Sequence, residues 1–221
     1  MNTLSQYLTQ IQQDGLAINT VYDIGANNGQ WSLALKHGVL KDSYFYLFEG
    51  SSEHDQALKN TNLPYYIGIL SNPGRTSVEY YQAGSSTGNS YYKENTVHYE
   101  NAVPELLPAQ TLDSIVEECG MPVPNFIKID TQGSELDILQ GAEKILSSVD
   151  LVMLECPIIR YNKGAPDIQD YIDYMRTQGF MPSEIMEIHE GQRILSQIDI
   201  MFINAKTRDK ICGPLIGLTD Y

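Results

Sequence analysis

Thr20-Val21-Tyr22-Asp23-Ile24-Gly25-Ala26-Asn27-Asn28-Gly29-Gln30-Trp31 is the stretch whose reading decides the fold. Residues 20–24 form a short β-prone run that stops at a glycine. Residues 26–29 read as a turn, and 31–37 as a helix whose Leu33 and Ala34 suit a sheet face. Strand, glycine turn and helix open a parallel α/β unit. Gly25 and Gly29 allow a sharp turn and a close backbone approach to a ligand. The free N–H groups of the helix beyond favour an anionic group there. A pyrophosphate and the carboxylate of a methionyl group both fit that description. The spacing is Gly-x-x-x-Gly, whereas dinucleotide folds use Gly-x-Gly-x-x-Gly. An ordinary tight strand–helix turn would use glycines too.

Outward from this unit, strands and helices alternate. Leu4, Leu8 and Ile11 lie at helical spacing. Residues 44–48 are nearly all apolar or aromatic, as in a strand buried on both faces, and Glu49 closes them. Residues 52–60 suit a helix capped by Ser52. Further strands are expected over 65–70, 76–81, 126–129 and 151–154, the last two closed by Asp130 and Glu155. Helices are expected over 111–119, over 134–146 with Leu136, Leu139, Ala142 and Leu146 on one face, and over 168–177. Residues 185–188 and 198–203 read as an antiparallel hairpin. The alternation predicts an α/β fold: a Rossmann-like, mostly parallel seven-stranded sheet with helices on both faces and a C-terminal antiparallel hairpin. The segment 83–101 is rich in Gly, Ser, Asn and Tyr without a period, as expected of a functional lid or a disordered segment.

Composition excludes several partners. A chain of 221 residues can bury a core without disulfides or metals. Asp and Glu number 28 against 14 Lys and Arg, a net charge of −14, which opposes nucleic acid or an anionic membrane as partner. Cys119, Cys156 and Cys212 are far apart and lack ligand spacing, so neither zinc nor a disulfide framework is expected. Residues 1–13 have no apolar core of signal-peptide type, and no apolar run nears the roughly 20 residues of a membrane span. The expectation is a reducing cytoplasm, with a small-molecule or glycan partner; a homo-oligomer is left open.

In an open parallel sheet, ligands bind outside the carboxyl ends of the strands. The residues closing the strands are Asp23 and Gly25, Glu49, Leu70 and Ser71, Asp130, and Glu155. A row of carboxylates buried to no purpose would be costly. Glu49 lies where nucleotide-binding sheets place an acid for ribose hydroxyls; a solvated strand-end Glu is the plainer alternative.

Asp23-Ile-Gly-Ala-Asn-Asn-Gly followed by Phe48-Glu49 resembles the first motif and acidic loop of class I S-adenosylmethionine-dependent methyltransferases. Phe126-Ile-Lys-Ile-Asp130-Thr-Gln-Gly133-Ser-Glu135, then Leu139-Gln-Gly141-Ala, resembles the Lys-x-Asp-x-x-Gly-x-Glu hallmark of the FkbM family. Thr111-Leu112-Asp113, Ser86 to Ser90, and Asp199-Ile-Met-Phe also fit. Gly50 stands in place of the family's proline, and Gln132 where many members have Glu. The resemblance covers about 20–205, leaving a helix over 1–19 and a tail over 206–221. It implies S-adenosylmethionine held by Asp23, Gly25, Ala26, Asn28, Gly29, Glu49, Gly50, Leu70, Ser71 and Asp130. It also implies O-methylation of a sugar, glycan or other small molecule. The competing readings are an NAD-dependent oxidoreductase and a silent module that binds the cofactor without turnover.

For methyl transfer to an alcohol, a positioned base helps. Asp130 is the first candidate: it could take the proton, orient the acceptor or bind a divalent cation, as the matching acid does in some related O-methyltransferases. A cap on the helix at 134 is the plainer alternative. Glu155 could hold the acceptor. His98 could be a base on a closing loop or a solvated loop histidine. Lys128 shares a strand face with Asp130 and is expected to pair with a carboxylate. Glu135 suits either a structural role in the first helical turn or the pocket. Tyr91, Tyr92 and Tyr99 could stack on a sugar, and His189 is left open.

Overall fold

The computed structural model describes residues 2–82, 88–97, 99–191 and 193–213. Its frame is a seven-stranded sheet in the order β3-β2-β1-β7-β8-β10-β9. The parallel strands are β1 (Thr20–Ile24), β2 (Tyr44–Glu49), β3 (Tyr65–Ile67), β7 (Phe126–Ile129) and β8 (Leu151–Pro157). The hairpin of β9 (Phe180–Gly191) and β10 (Ile194–Asn204) adds antiparallel to β8. Strand order reverses between β1 and β7, so the crevice lies between their carboxyl ends.

Helices cover both faces. Tyr22, Ile24, Ile127, Ile129, Val152 and Leu154 point to one core. On them pack α4 (Leu112–Cys119), α5 (Glu135–Gln140), α6 (Glu143–Leu146) and α7 (Ile168–Thr177). Val21, Phe45, Leu47, Phe126 and Leu151 point to the other. There lie α1 (Leu4–Gln13), α2 (Gln30–Lys36), α3 (Asp55–Asn60) and α8 (Ala205–Cys212). Period-2 alternation along each central strand feeds apolar side chains to both layers, which is why these runs are mainly apolar in sequence. No helix is long and apolar enough to cross a membrane among the described residues.

Local expectations were modified in several places. The run 65–70 divides at Gly68: β3 stays on the main sheet, while β4 (Ile69–Leu70) joins a three-stranded sheet of order β4-β6-β5. That sheet contains β5 (Ser77–Tyr80) and β6 (Glu105–Gln110), the latter unassigned from sequence. The helix over 134–146 divides at Gly141, whose backbone packs so closely on Ser71 that a Cβ would lie 2.2 Å from the Ser71 carbonyl oxygen. Ser51, not Ser52, caps the 52–60 segment; its hydroxyl accepts from the Glu53 N–H, and the first turn is 3-10. β8 continues past Glu155 because Gln197, Ile198 and Asp199 of β10 pair with it there. The segment after 205 begins with a helix, α8.

Candidate functional site

A cavity of about 450 Å³ opens at the carboxyl edge of the sheet, over the reversal between β1 and β7. Gly25 makes the crevice possible. Its φ is +75°, and a Cβ there would lie 1.8 Å from the Asp130 carbonyl oxygen. Only glycine lets the β1 turn run so close to the end of β7. The Gly25 and Ala26 N–H groups donate to the Phe48 carbonyl at 2.9 and 3.0 Å, locking the turn to β2. Gly29, also left-handed at φ +74°, packs beneath against Thr61 and Leu47.

Glu49 ends β2 beside this turn, buried and lining the cavity. Its Oε2 accepts from the Asn27 N–H and its Oε1 from the Ser51 N–H, each at 2.8 Å. Two backbone donors fix the carboxylate's plane, and each oxygen keeps a lone pair for a further donor. Phe48, Ile69, Leu70 and Ile138 supply apolar wall nearby.

Across the crevice, Lys128 is buried between Asp23 (3.4 Å) and Asp130 (3.1 Å), with its ammonium over the Trp31 ring at 5.6 Å from the centroid. Burial works against its charge, but Asp23 and Asp130 outweigh it and hold its pKa above the ordinary lysine value. Asp23 also accepts from Ser32 Oγ at 2.7 Å. The expected pairing of Lys128 with a carboxylate is therefore present, twice over.

Glu135 braces the loop between β7 and α5. It is fully buried; it accepts from the Thr131 N–H at 2.8 Å and the Gly133 N–H at 3.0 Å, and from the Tyr171 hydroxyl. Burial raises its pKa, and these bonds oppose the rise. Held by that loop, Gln132 adopts a left-handed backbone (φ +57°) and aims its amide into the cavity. Its Nε2 donates to Glu155 Oε2 at 2.8 Å and to Asp130 Oδ1 at 3.4 Å. Gln197 Nε2 donates to the other Glu155 oxygen. Burial, then the charges of Asp130, Glu135 and Asp199, pushes the Glu155 pKa well above the carboxylate range.

The hairpin supplies the last wall. Glu187, His189 and Asp199 line the cavity, and one ligand atom from each lies within 4.8 Å of the others, a grouping able to accept a cation. His189 Nε2 is 3.7 Å from Asp199 Oδ1 and 3.8 Å from Glu187 Oε1. Burial, then Asp130, raises the Asp199 pKa to about 6.

Part of the long loop is pinned over the cavity. Ser90 Oγ donates to the Gln132 carbonyl at 2.8 Å, and Asn162 Nδ2 joins that carbonyl (2.7 Å) to the Tyr92 carbonyl (2.8 Å). The Tyr91 and Tyr92 hydroxyls donate to Asp137 Oδ2 at 3.2 and 2.8 Å, under the Arg75 guanidinium. Tyr91 also lines the cavity.

Of the cofactor residues expected from sequence, Gly25, Ala26, Asn28, Glu49, Gly50, Leu70 and Asp130 line this one cavity. Asp23, Gly29 and Ser71 lie behind the wall as buried support. Glu155 joins Asp130 in the cavity, while His98 falls outside the described residues. Sequence reasoning did not single out Gln132, Glu187 and Asp199 as site residues, and left His189 open. The available signal for Asp199 was a lone acid within the apolar strand Ile198 to Ile203.

Fold and site together define a Rossmann-like domain with a strand-end ligand pocket, of the methyltransferase type. The chain belongs to the FkbM family: the methyltransferase FkbM domain model matches residues 23–182. A curated relative, the hexuronic acid methyltransferase AglP of Haloferax volcanii, is 29% identical over 108 residues, spanning 49% of this chain and 42% of that protein. The match thus covers less than half of that relative. The crystal structure of an FkbM methyltransferase from Methylobacillus flagellatus superposes with a TM-score of 0.53 at 17% identity, over 84% of this chain and 43% of that one. A precorrin-6y C5,15-methyltransferase from Geobacter metallireducens gives 0.50 at 10% identity, over 90% and 87%. At these identities the two structures speak for the fold alone.

Proposed function

We propose that the chain is an S-adenosylmethionine-dependent O-methyltransferase acting on a hydroxyl of a sugar, glycan or other small molecule. The observation that carries this reading is the Glu49 carboxylate, held by two backbone donors beside the Gly25 turn and facing the cavity. A carboxylate so fixed accepts from two vicinal ribose hydroxyls, which selects a nucleoside. Apolar Phe48, Ile69, Leu70 and Ile138 suit the adenine, and the tight Gly25-Ala26 backbone suits the methionyl end. The name of the Haloferax relative supports a sugar-type acceptor.

When bound, the cofactor supplies an electrophilic methyl group on a sulfonium. The chain's part is to align the acceptor oxygen with that carbon, and such positioning contributes roughly 7–11 kcal/mol of the barrier. Asp130, with its side chain 40% exposed and tethered by Lys128 and Gln132, orients the acceptor hydroxyl and takes its proton. Glu155, clamped between two glutamine amides, positions the acceptor beside it. Lys128, 3.1 Å from its Oδ2, keeps Asp130 in place. His98 stays a candidate base contributed by the loop.

Calorimetric titration with S-adenosylhomocysteine, with NAD as control, tests the reading. Saturable binding of the first alone is expected, together with at least a tenfold loss in Glu49→Ala. Binding of NAD in its place would return the chain to the oxidoreductases.

A further inference from the structure

Glu155, Asp199 and Glu187 stand in one row across three strands. Asp199 is the direct register partner of Glu155 between β10 and β8, and of Glu187 between β10 and β9. All three line the cavity, as does Asp130 at the end of β7. Like charges directly opposite one another destabilise a sheet, so such a row needs a positive counterpart.

The wall contributes little of one. Lys128 is already held between Asp23 and Asp130. His189 Nε2 lies 3.7 and 3.8 Å from the Asp199 and Glu187 oxygens, beyond hydrogen-bond reach. No arginine lines the cavity among the described residues, and Arg75 faces Asp137 away from it. The Asp199 Oδ1 atom is buried without a hydrogen-bond partner. A buried acceptor atom left unpaired is expensive unless a ligand completes it.

We propose that this row is the acceptor-binding wall of the transferase, and that it selects an acceptor carrying a protonated amine and rejects one carrying a carboxylate. The assignment rests on the O-methyltransferase reading for its role in turnover. An ammonium N–H satisfies the free Asp199 oxygen and relieves repulsion along the row. A neutral polyol satisfies the oxygen only. A uronate brings a further negative charge to a wall lined by acids, so the acceptor class differs from the one named for the Haloferax relative.

The test is ligand-observed NMR titration of the whole chain at neutral pH, with chelator present. The probes are the methyl glycosides of glucosamine, glucose and glucuronic acid, each with and without S-adenosylhomocysteine. The amino sugar is expected to bind at least tenfold more tightly than the uronate, with glucose between. Asp199→Asn and Glu187→Gln should each reduce that ratio several-fold; the second side chain is 64% exposed and keeps the test sound should the first fail to fold. A smaller amine-to-uronate ratio, an unchanged ratio in both variants, or no binding of any probe overturns the proposal. So does a uronate preference that appears on adding Mn²⁺, which would assign the row to a metal ion. If S-adenosylhomocysteine itself does not bind, the transferase reading falls, while titrations without it still read the charge preference of the wall.

Discussion

Gln132 donates its amide to Glu155 Oε2 at 2.8 Å and to Asp130 Oδ1 at 3.4 Å, holding together two acids that would otherwise repel. In this chain Gln132→Glu would remove the donor and set a third acid beside the pair. A loss of about 2 kcal/mol is expected, read as a lower urea midpoint at neutral pH. Affinity for S-adenosylhomocysteine should change by no more than a few-fold, because the Asn27 and Ser51 N–H groups, not Gln132, hold Glu49.

Gly25 and Gly120 share a left-handed backbone but differ in surroundings. A Cβ on Gly25 would collide with the Asp130 carbonyl, whereas nothing lies within 4 Å of one on Gly120. Gly120→Ala should therefore cost only the conformational term, about 1–2 kcal/mol, and leave ligand affinity intact. Gly25→Ala should cost more than that in thermal unfolding and abolish S-adenosylhomocysteine binding.

Lys128 is the sole cation between Asp23 and Asp130 among the ion pairs of the described residues. Lys128→Met would leave the fully buried Asp23 uncompensated. A loss of roughly 3–5 kcal/mol follows from breaking a buried pair, and Lys128→Met/Asp23→Asn should recover part of it. Denaturant unfolding of the two variants and the wild type measures both steps.

Asp199 makes stability depend on pH. Burial raises its folded pKa from 3.8 to about 6, with Asp130, Glu187, His189 and Lys128 facing it as well as its partner Glu155. The native state thus takes up a proton before the unfolded chain does, so stability rises as pH falls from about 6 to about 4. Above that window the ionised form costs up to about 3 kcal/mol. Asp199→Asn should therefore stabilise the protein at pH near 8, and the gain should vanish near pH 4. Urea midpoints across that range provide the check.

Most of the frame was legible because buried strands read as short, mainly apolar runs, as in Tyr44–Glu49 and Phe126–Ile129. The small sheet was not. In Glu105–Gln110 a proline and several exposed side chains erase the period, since little of that strand is buried. The apolar repeat of Leu136, Leu139, Ala142 and Leu146 hid the break at Gly141 because α5 and α6 rest on the same core. Glu155 looked like the end of a strand because an acid rarely continues one; the partner that extends it, β10, lies more than forty residues on. The Gly25 turn and Glu49 were legible as local motifs. The hairpin wall was not, because only strand register brings Glu187 and Asp199 to the cavity.

The chain carries a single tryptophan, and Trp31 sits in the cavity wall with the Lys128 ammonium 5.6 Å from its ring centroid. An indole beside a fixed cation and an open cavity has an emission set by that local field and by the water it meets. Red-edge excitation, which bypasses tyrosine, therefore reads the ligand site and no other part of the fold. The molecule holds its own optical probe for ligand arrival, with no label to attach and no background to subtract.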